Sequence, residues 1–232
     1  MNQLPINKIF IAGFAFAITH WKKILEISIF PVVISLPLFS ILPELLALME
    51  QALSGGLTLD LVLPDNTTLY LILFLYGHIS LSINLYRLVV LGEQSASTLP
   101  VLDASKIIRF IGLMLLVGIV SAMPILFTNL LILQFVASFL VVPITLNFIN
   151  IAIGRPSKYR WGLSFSTHMS LFFLQVVVPM LIILLFTSLS SIIGLGAGVA
   201  LAAKALAFYW GSITLALCYQ LITATNDSTK TL

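Results

Sequence analysis

Charged residues punctuate this chain at intervals that helices crossing a bilayer explain. Between Phe110 and Gly154 there is no Lys, Arg, Asp or Glu. As helix that stretch is about 68 Å long, roughly twice the ~30 Å hydrocarbon core. It predicts a hairpin whose turn falls near Pro124, Thr128 and Asn129, the strongest breakers within it. A second charge-free stretch runs from Trp161 to Ala203 and is interrupted by Gly194-Leu195-Gly196-Ala197-Gly198, which reads as the next turn. Together with the shorter runs, the pattern predicts six spans: Ile24 to Leu42, Leu69 to Val90, Phe110 to Phe127, Leu130 to Ile153, Leu171 to Ile193, and Val199 to Ile222.

The first twenty residues carry a shorter run, Ile9 to Ile18, preceded by Lys8. It imitates a signal peptide, with Ala15-Phe16-Ala17 in the place of a cleavage site. The basic stretch His20-Trp21-Lys22-Lys23 that follows opposes export, and the run is too short to span. The expectation is a helix at the membrane interface with Trp21 at headgroup depth. The chain divides into an N-terminal interfacial segment 1–23, a six-helix transmembrane domain 24–222 and a tail 223–232.

Composition agrees with the pattern. Of 232 residues, 60% are apolar and 8% charged, against about 25% charged in a soluble chain. So few charges cannot clothe a water-facing globule of this size. The net charge of +3 does not point to nucleic acid, because the basic residues lie beside the spans. Every Lys and Arg of the 11 except Lys204 falls in the N-terminus, the second and fourth loops with their margins, or the tail. The first loop holds Glu44, Glu50, Asp60 and Asp65 and no cation. The positive-inside rule then puts both termini in the cytoplasm. Lys204, near the start of its span, reads as a cation that snorkels outward. With one cysteine, Cys218, no internal disulfide or cysteine metal cluster can form.

Pro31, Pro37, Pro143 and Pro179 interrupt predicted spans, and each leaves a carbonyl in need of another donor. Thr19-His20 precedes Pro31 at the spacing with which Thr167-His168 precedes Pro179. Duplication into three helical hairpins would produce such an echo; so would chance in an apolar sequence of low complexity.

The exit of the second span reads Asn84-Leu85-Tyr86-Arg87-Leu88-Val89-Val90-Leu91-Gly92-Glu93. With the basic loop Gly154-Arg155-Pro156 and an aromatic before the fifth span, it resembles small six-helix bacterial inner-membrane proteins of uncharacterised families. The resemblance implies an all-α six-helix fold in a bacterial cytoplasmic membrane and carries no activity with it.

Candidate binding residues come from helical faces. Gly77, Ser80, Asn84 and Arg87 share one face of the second span, and Glu93 lies beyond its end within reach of Arg87. Such a stripe lines a binding surface, or else bonds across helices while Arg87 reaches the phosphates. Ser164, His168 and Gln175 align before Pro179, and Gln134, Ser138 and Thr145 align in the preceding span, so the two stripes are expected to face one another. His20 and His168 have no further ligand beside them in the sequence, so neither metal nor cofactor is expected. No catalytic motif is present, and the chain is expected not to be an enzyme. The leading expectation is a non-enzymatic envelope-maintenance protein or membrane-complex partner, in contact with the lipid bilayer and with another membrane protein or a second copy. The alternative is a transporter or flippase of a small or lipidic substrate. A mid-membrane cavity lined by Asn84, Gln134, Ser138 or Gln175 would favour the alternative.

Overall fold

The computed structural model describes residues 4–53, 63–127, 131–158, 160–193 and 197–228. Among them it is all-helical: α1 (Ile6–Thr19), α2 (Trp21–Leu53), α3 (Thr67–Leu91), α4 (Ala104–Phe127), α5 (Leu131–Thr145), α6 (Asn147–Ala152), α7 (Phe165–Phe172), α8 (Val178–Ile193) and α9 (Ala197–Ser228). Among the described residues, six segments are long and apolar enough to cross a membrane: Trp21–Leu48, Thr67–Leu91, Ala104–Pro124, Ile132–Ala152, Phe165–Ile193 and Leu201–Thr225. They correspond one to one with the spans predicted from the charge gaps. The chain is a multi-pass membrane protein. The end of the bundle where Trp21, Leu91, Ala104, Ala152, Phe165 and Thr225 lie is called basal, the opposite end distal.

Three antiparallel hairpins, α2 with α3, α4 with α5, and α8 with α9, all enter from the basal end. Lipid tails are as apolar as leucine, so hydrophobicity does little to hold them together; close packing and hydrogen bonds must. Gly77 provides one close approach, where a Cβ would meet Ile34 at 2.8 Å and the Pro31 carbonyl oxygen at 3.2 Å. The core is built around the second half of α3, where Ile79 to Tyr86 are all buried, and around α9, where Trp210, Ile213, Ala216 and Tyr219 are buried. The distal halves of α4, α5 and α8 expose Leu116, Ile119, Ile132, Leu185 and Ile192 in the manner of lipid-facing surfaces.

Proline determines where helices break. Pro143 cannot donate to Phe139, and the fourth span divides at Leu146 into α5 and α6. Pro179 would drive its ring at the Gln175 carbonyl in a regular helix. The chain instead opens a π turn over Phe173–Val177, with Val178 N–H bonded to Phe173 O, and α7, the π turn and α8 form one continuous span.

Two expectations change. The first distal loop is shorter than predicted, because α2 continues through Pro43 to Leu53. The other change concerns the stripe of Ser164, His168 and Gln175, which the π turn disrupts as described below. The segment before Trp21 is helical, and α1 is docked on the bundle. Phe10 and Phe14 lie against Trp210 at ring distances of 5.3 and 6.0 Å, and Gly13 abuts Thr214 and Trp210. The expected turns at Thr128 and Asn129 and at Gly194 to Gly196, and Asp60 of the distal loop, lie outside the described residues.

Candidate functional site

Between α3, α4, α6, α8 and α9 lies a cavity of about 400 Å³. Its polar wall is supplied by His78, Ser82 and Tyr86 of α3, Gln175 of the π turn, and Lys204 and Ser212 of α9. Phe110, Phe148 and Phe208 supply apolar wall between them. His78, Ser82 and Tyr86 recur every four residues, which places them on one face of α3. Tyr86 and Ser212 line the same wall, and Gln175 Nε2 donates to Thr214 Oγ1 at 3.1 Å. The His78 ring packs between Phe74 and Phe208, 6.3 and 4.6 Å away. A second cavity of about 320 Å³ lies between α2, α3 and α9, and His78, Lys204 and Phe208 line it as well. These three side chains therefore form a partition, with the exposed ammonium of Lys204 at its edge.

This arrangement combines a small set of hydrogen-bonding groups, one cation and extensive aromatic surface inside a membrane protein. It suits an amphipathic molecule, whose polar part can bond Gln175, Ser82 or Lys204 while its apolar part lies on the phenylalanines.

The residues singled out from the sequence separate into two groups. Gln175 lines the cavity. Asn84, Gln134 and Ser138 do not line it. Ser80, Asn84, Arg87, Glu93 and His168 hold the basal end together. Ser80 Oγ accepts from Val101 N–H at 3.1 Å and Asn84 Oδ1 from Ser97 N–H at 3.4 Å, so the polar stripe of α3 fastens the connection running back from Gly92 to α4. Arg87 Nε donates to Ala152 O at 2.9 Å and caps the end of α6, where carbonyls lack helical donors. Its predicted partner Glu93 lies instead 3.9 Å from His20 Nε2, and Ser95 Oγ donates to the Arg87 carbonyl. His168 Nε2 is 2.6 Å from Phe139 O, and its ring stacks on that phenylalanine at 4.1 Å.

The expected facing of two stripes holds only at His168, which reaches α5, whereas Gln175 reaches α9. The reason is the π turn, which inserts an extra residue into the helical period so that residues seven apart across it no longer share a face. Ser164 is spent as the N-cap of α7, accepting from Thr167 N–H.

Sequence reasoning missed one buried cluster altogether. Asn147 Oδ1 accepts from Lys158 N–H at 2.7 Å while its Nδ2 donates to Lys158 O at 2.8 Å. Asn150 joins Asn147 to the Tyr219 hydroxyl of α9. Two buried asparagines one helical turn apart, just before a basic loop, were the available signal. The cavity face of His78, Ser82 and Tyr86 was equally visible as a four-residue period.

Comparisons of the chain with protein-family models, with curated proteins and with solved structures found no match.

Proposed function

We propose that the chain is a transporter or flippase of a small amphipathic or lipidic molecule, bound in the cavity of His78, Gln175 and Lys204. The observation that carries this reading is the convergence of six polar side chains on one void among membrane-spanning helices, in a wall shaped by Pro179 and the π turn. Close packing of the helices that line it would close this partly open recess. The other reading, a non-enzymatic envelope-maintenance protein or complex partner, is favoured by one specific fact. Ser80, Asn84, Arg87 and His168 bond to backbone groups of this chain, so these four side chains are taken up by packing.

The charge distribution supports a bacterial cytoplasmic membrane with both termini inside, because the cations gather at the basal end. Reporter fusions after Asn226 and within Gly55 to Asp60 test the orientation, and an external tail would reverse it.

The functional test uses the full chain in liposomes containing a fluorescent phospholipid, whose outer-leaflet fraction is quenched chemically. Accelerated transbilayer movement, lost in Gly211→Leu, is the expected result. A Cβ at Gly211 would meet nothing closer than Pro179 Cγ at 3.9 Å, so the added side chain enters the cavity. Absence of transbilayer movement, together with no lipid or metabolite retained on the purified wild type and lost in Gly211→Leu, would overturn the reading.

A further inference from the structure

α1 and α8 enclose a groove that the cavity above does not explain. It has a volume of about 810 Å³ and is lined by Ile6, Phe10 and Ile11 of α1 and by Phe173, Leu181 and Leu185 of the fifth span, among others. Its walls are almost wholly apolar; Ile11 is 66% and Leu185 57% exposed within the chain. From Phe173 to Leu185 the groove follows the helix for about 18 Å, close to half the thickness of a ~30 Å hydrocarbon core.

At Ile6 and Asn7 the groove joins a second recess, lined by Leu4, Asn7, Lys8 and Ser170. This recess lies at the basal end, since Ser170 is only five residues from Phe165. Ion pairs among the described residues join His20 to Glu93, Lys23 to Glu26 and Lys106 to Asp103. Lys8, like Lys22 and Arg109, has none, and it is the only charged side chain before Lys22. An apolar groove of this length, headed by a cation without an ion pair and by an amide side chain, has the charge and length to take the phosphate and one acyl chain of an anionic phospholipid. An apolar peptide would not need the cation, and a zwitterionic lipid would gain little from it.

We propose that an anionic phospholipid of the basal leaflet occupies this site, its phosphate beside Lys8 and Asn7 and one acyl chain between α1 and α8. The lipid fills the side of α1 that Trp210 does not cover and ties it to the fifth span. The site is separate from the His78–Gln175 cavity and does not depend on the transport reading.

The test is lipid retention. Full-length chain is reconstituted in vesicles of equal parts phosphatidylglycerol and phosphatidylcholine, extracted in mild detergent, and weighed intact by native mass spectrometry. Wild type is expected to retain one phosphatidylglycerol per chain in preference to phosphatidylcholine. Lys8→Glu should lower that preference at least about fivefold, the ~1 kcal/mol that one lysine contributes near anionic lipid. Lys8→Arg should preserve it. Leu181→Trp, at an exposed position, should displace the lipid by filling the groove with the charge intact. Equal retention of the two lipids by wild type, or unchanged selectivity in Lys8→Glu, would overturn the proposal. So would loss of phosphatidylglycerol in Gly211→Leu alone, which would move the lipid to the other cavity, or a lipid-free dimer in place of the lipid adduct.

Discussion

His168 donates to the carbonyl of Phe139, the one that Pro143 leaves without a helical donor. A carbonyl can only accept, so the bond fixes the proton on Nε2. In a membrane interior an unsatisfied carbonyl is expensive, and the imidazole of a neighbouring hairpin substitutes for the missing N–H at 2.6 Å. Proline and histidine are therefore one device, in which the kink in α5 creates the acceptor and α7 answers it. His168→Ala should lower stability in detergent by about 1–3 kcal/mol, the range for an orphaned buried acceptor. In a Pro143→Ala background residue 143 regains its N–H, and the same change should matter much less. Equal losses in both backgrounds, measured by thermal unfolding as a double-mutant cycle, would show that the two residues act separately.

Arg87 is a second cap in trans, from α3 to the last carbonyl of α6. One N–H to one carbonyl needs no planar fork, unlike a carboxylate contact. Arg87→Lys should therefore retain most of the stability that Arg87→Ala loses, about 1.5–3 kcal/mol for a hydrogen bond to a charged group. A lysine variant as weak as the alanine variant in thermal unfolding would contradict this.

How far the sequence reached follows from what periodicity can report. Charge gaps set the number and order of spans because burying a charge in lipid is costly wherever the helix leads. Helical spacing correctly put Ser80, Asn84 and Arg87 on one face, since α3 is regular there. It could not tell that Ser97 and Val101 of a polar connection, rather than a ligand, would cover that face. The spacing argument failed at Gln175 for a different reason, because the π turn before Pro179 changes the period on which it relies. The docking of α1 was hidden too, as nothing in Ile9 to Ile18 names Trp210 and Thr214 as its partners.

That docking depends on a missing side chain. A Cβ at Gly13 would sit 2.8 Å from Thr214 Cγ2 and 3.1 Å from Trp210 Nε1, and Trp210 is buried with no room to retreat. Gly13→Ala should lift α1 from α9 and destabilise the chain by about 1–3 kcal/mol, the usual result of overpacking. Thr214→Ser removes the closer methyl and keeps the hydroxyl that bonds Trp210 O and accepts from Gln175. The double variant should recover part of the loss, read as protection of the α1 backbone in hydrogen exchange. Normal protection in Gly13→Ala alone would rule out the tight contact.

Asp103, just outside the third span, starts α4 by accepting from Lys106 N–H at 3.2 Å and pairing with its ammonium at 3.2 Å. The backbone hydrogen bond first, and the lysine side chain second, hold its carboxyl below the ordinary aspartate range. A folded-state value below the unfolded one adds stability above the unfolded pKa, and that contribution disappears as pH falls through the folded value. Asp103→Asn should therefore flatten the acidic limb of the stability profile below about pH 4 and leave its alkaline limb unchanged. A wild-type profile already flat there would show that the cap contributes nothing measurable.

Gly211 separates stability from function. It lies within α9 at the cavity wall, and a Cβ there meets only Pro179 Cγ, in ordinary contact at 3.9 Å. Glycine inside a helix is less favourable than alanine by about 0.5–1 kcal/mol, so Gly211→Ala should raise the melting temperature. Valine and leucine then occupy increasing shares of a void of about 400 Å³. If the void only records loose packing, filling it should stabilise the chain further and leave its cellular activity untouched. If it holds a substrate, activity in growth complementation should fall from alanine through valine to leucine at matched membrane expression, while stability stays at or above wild type. A parallel fall in both quantities would identify Gly211 as a packing residue and remove the cavity from the functional account.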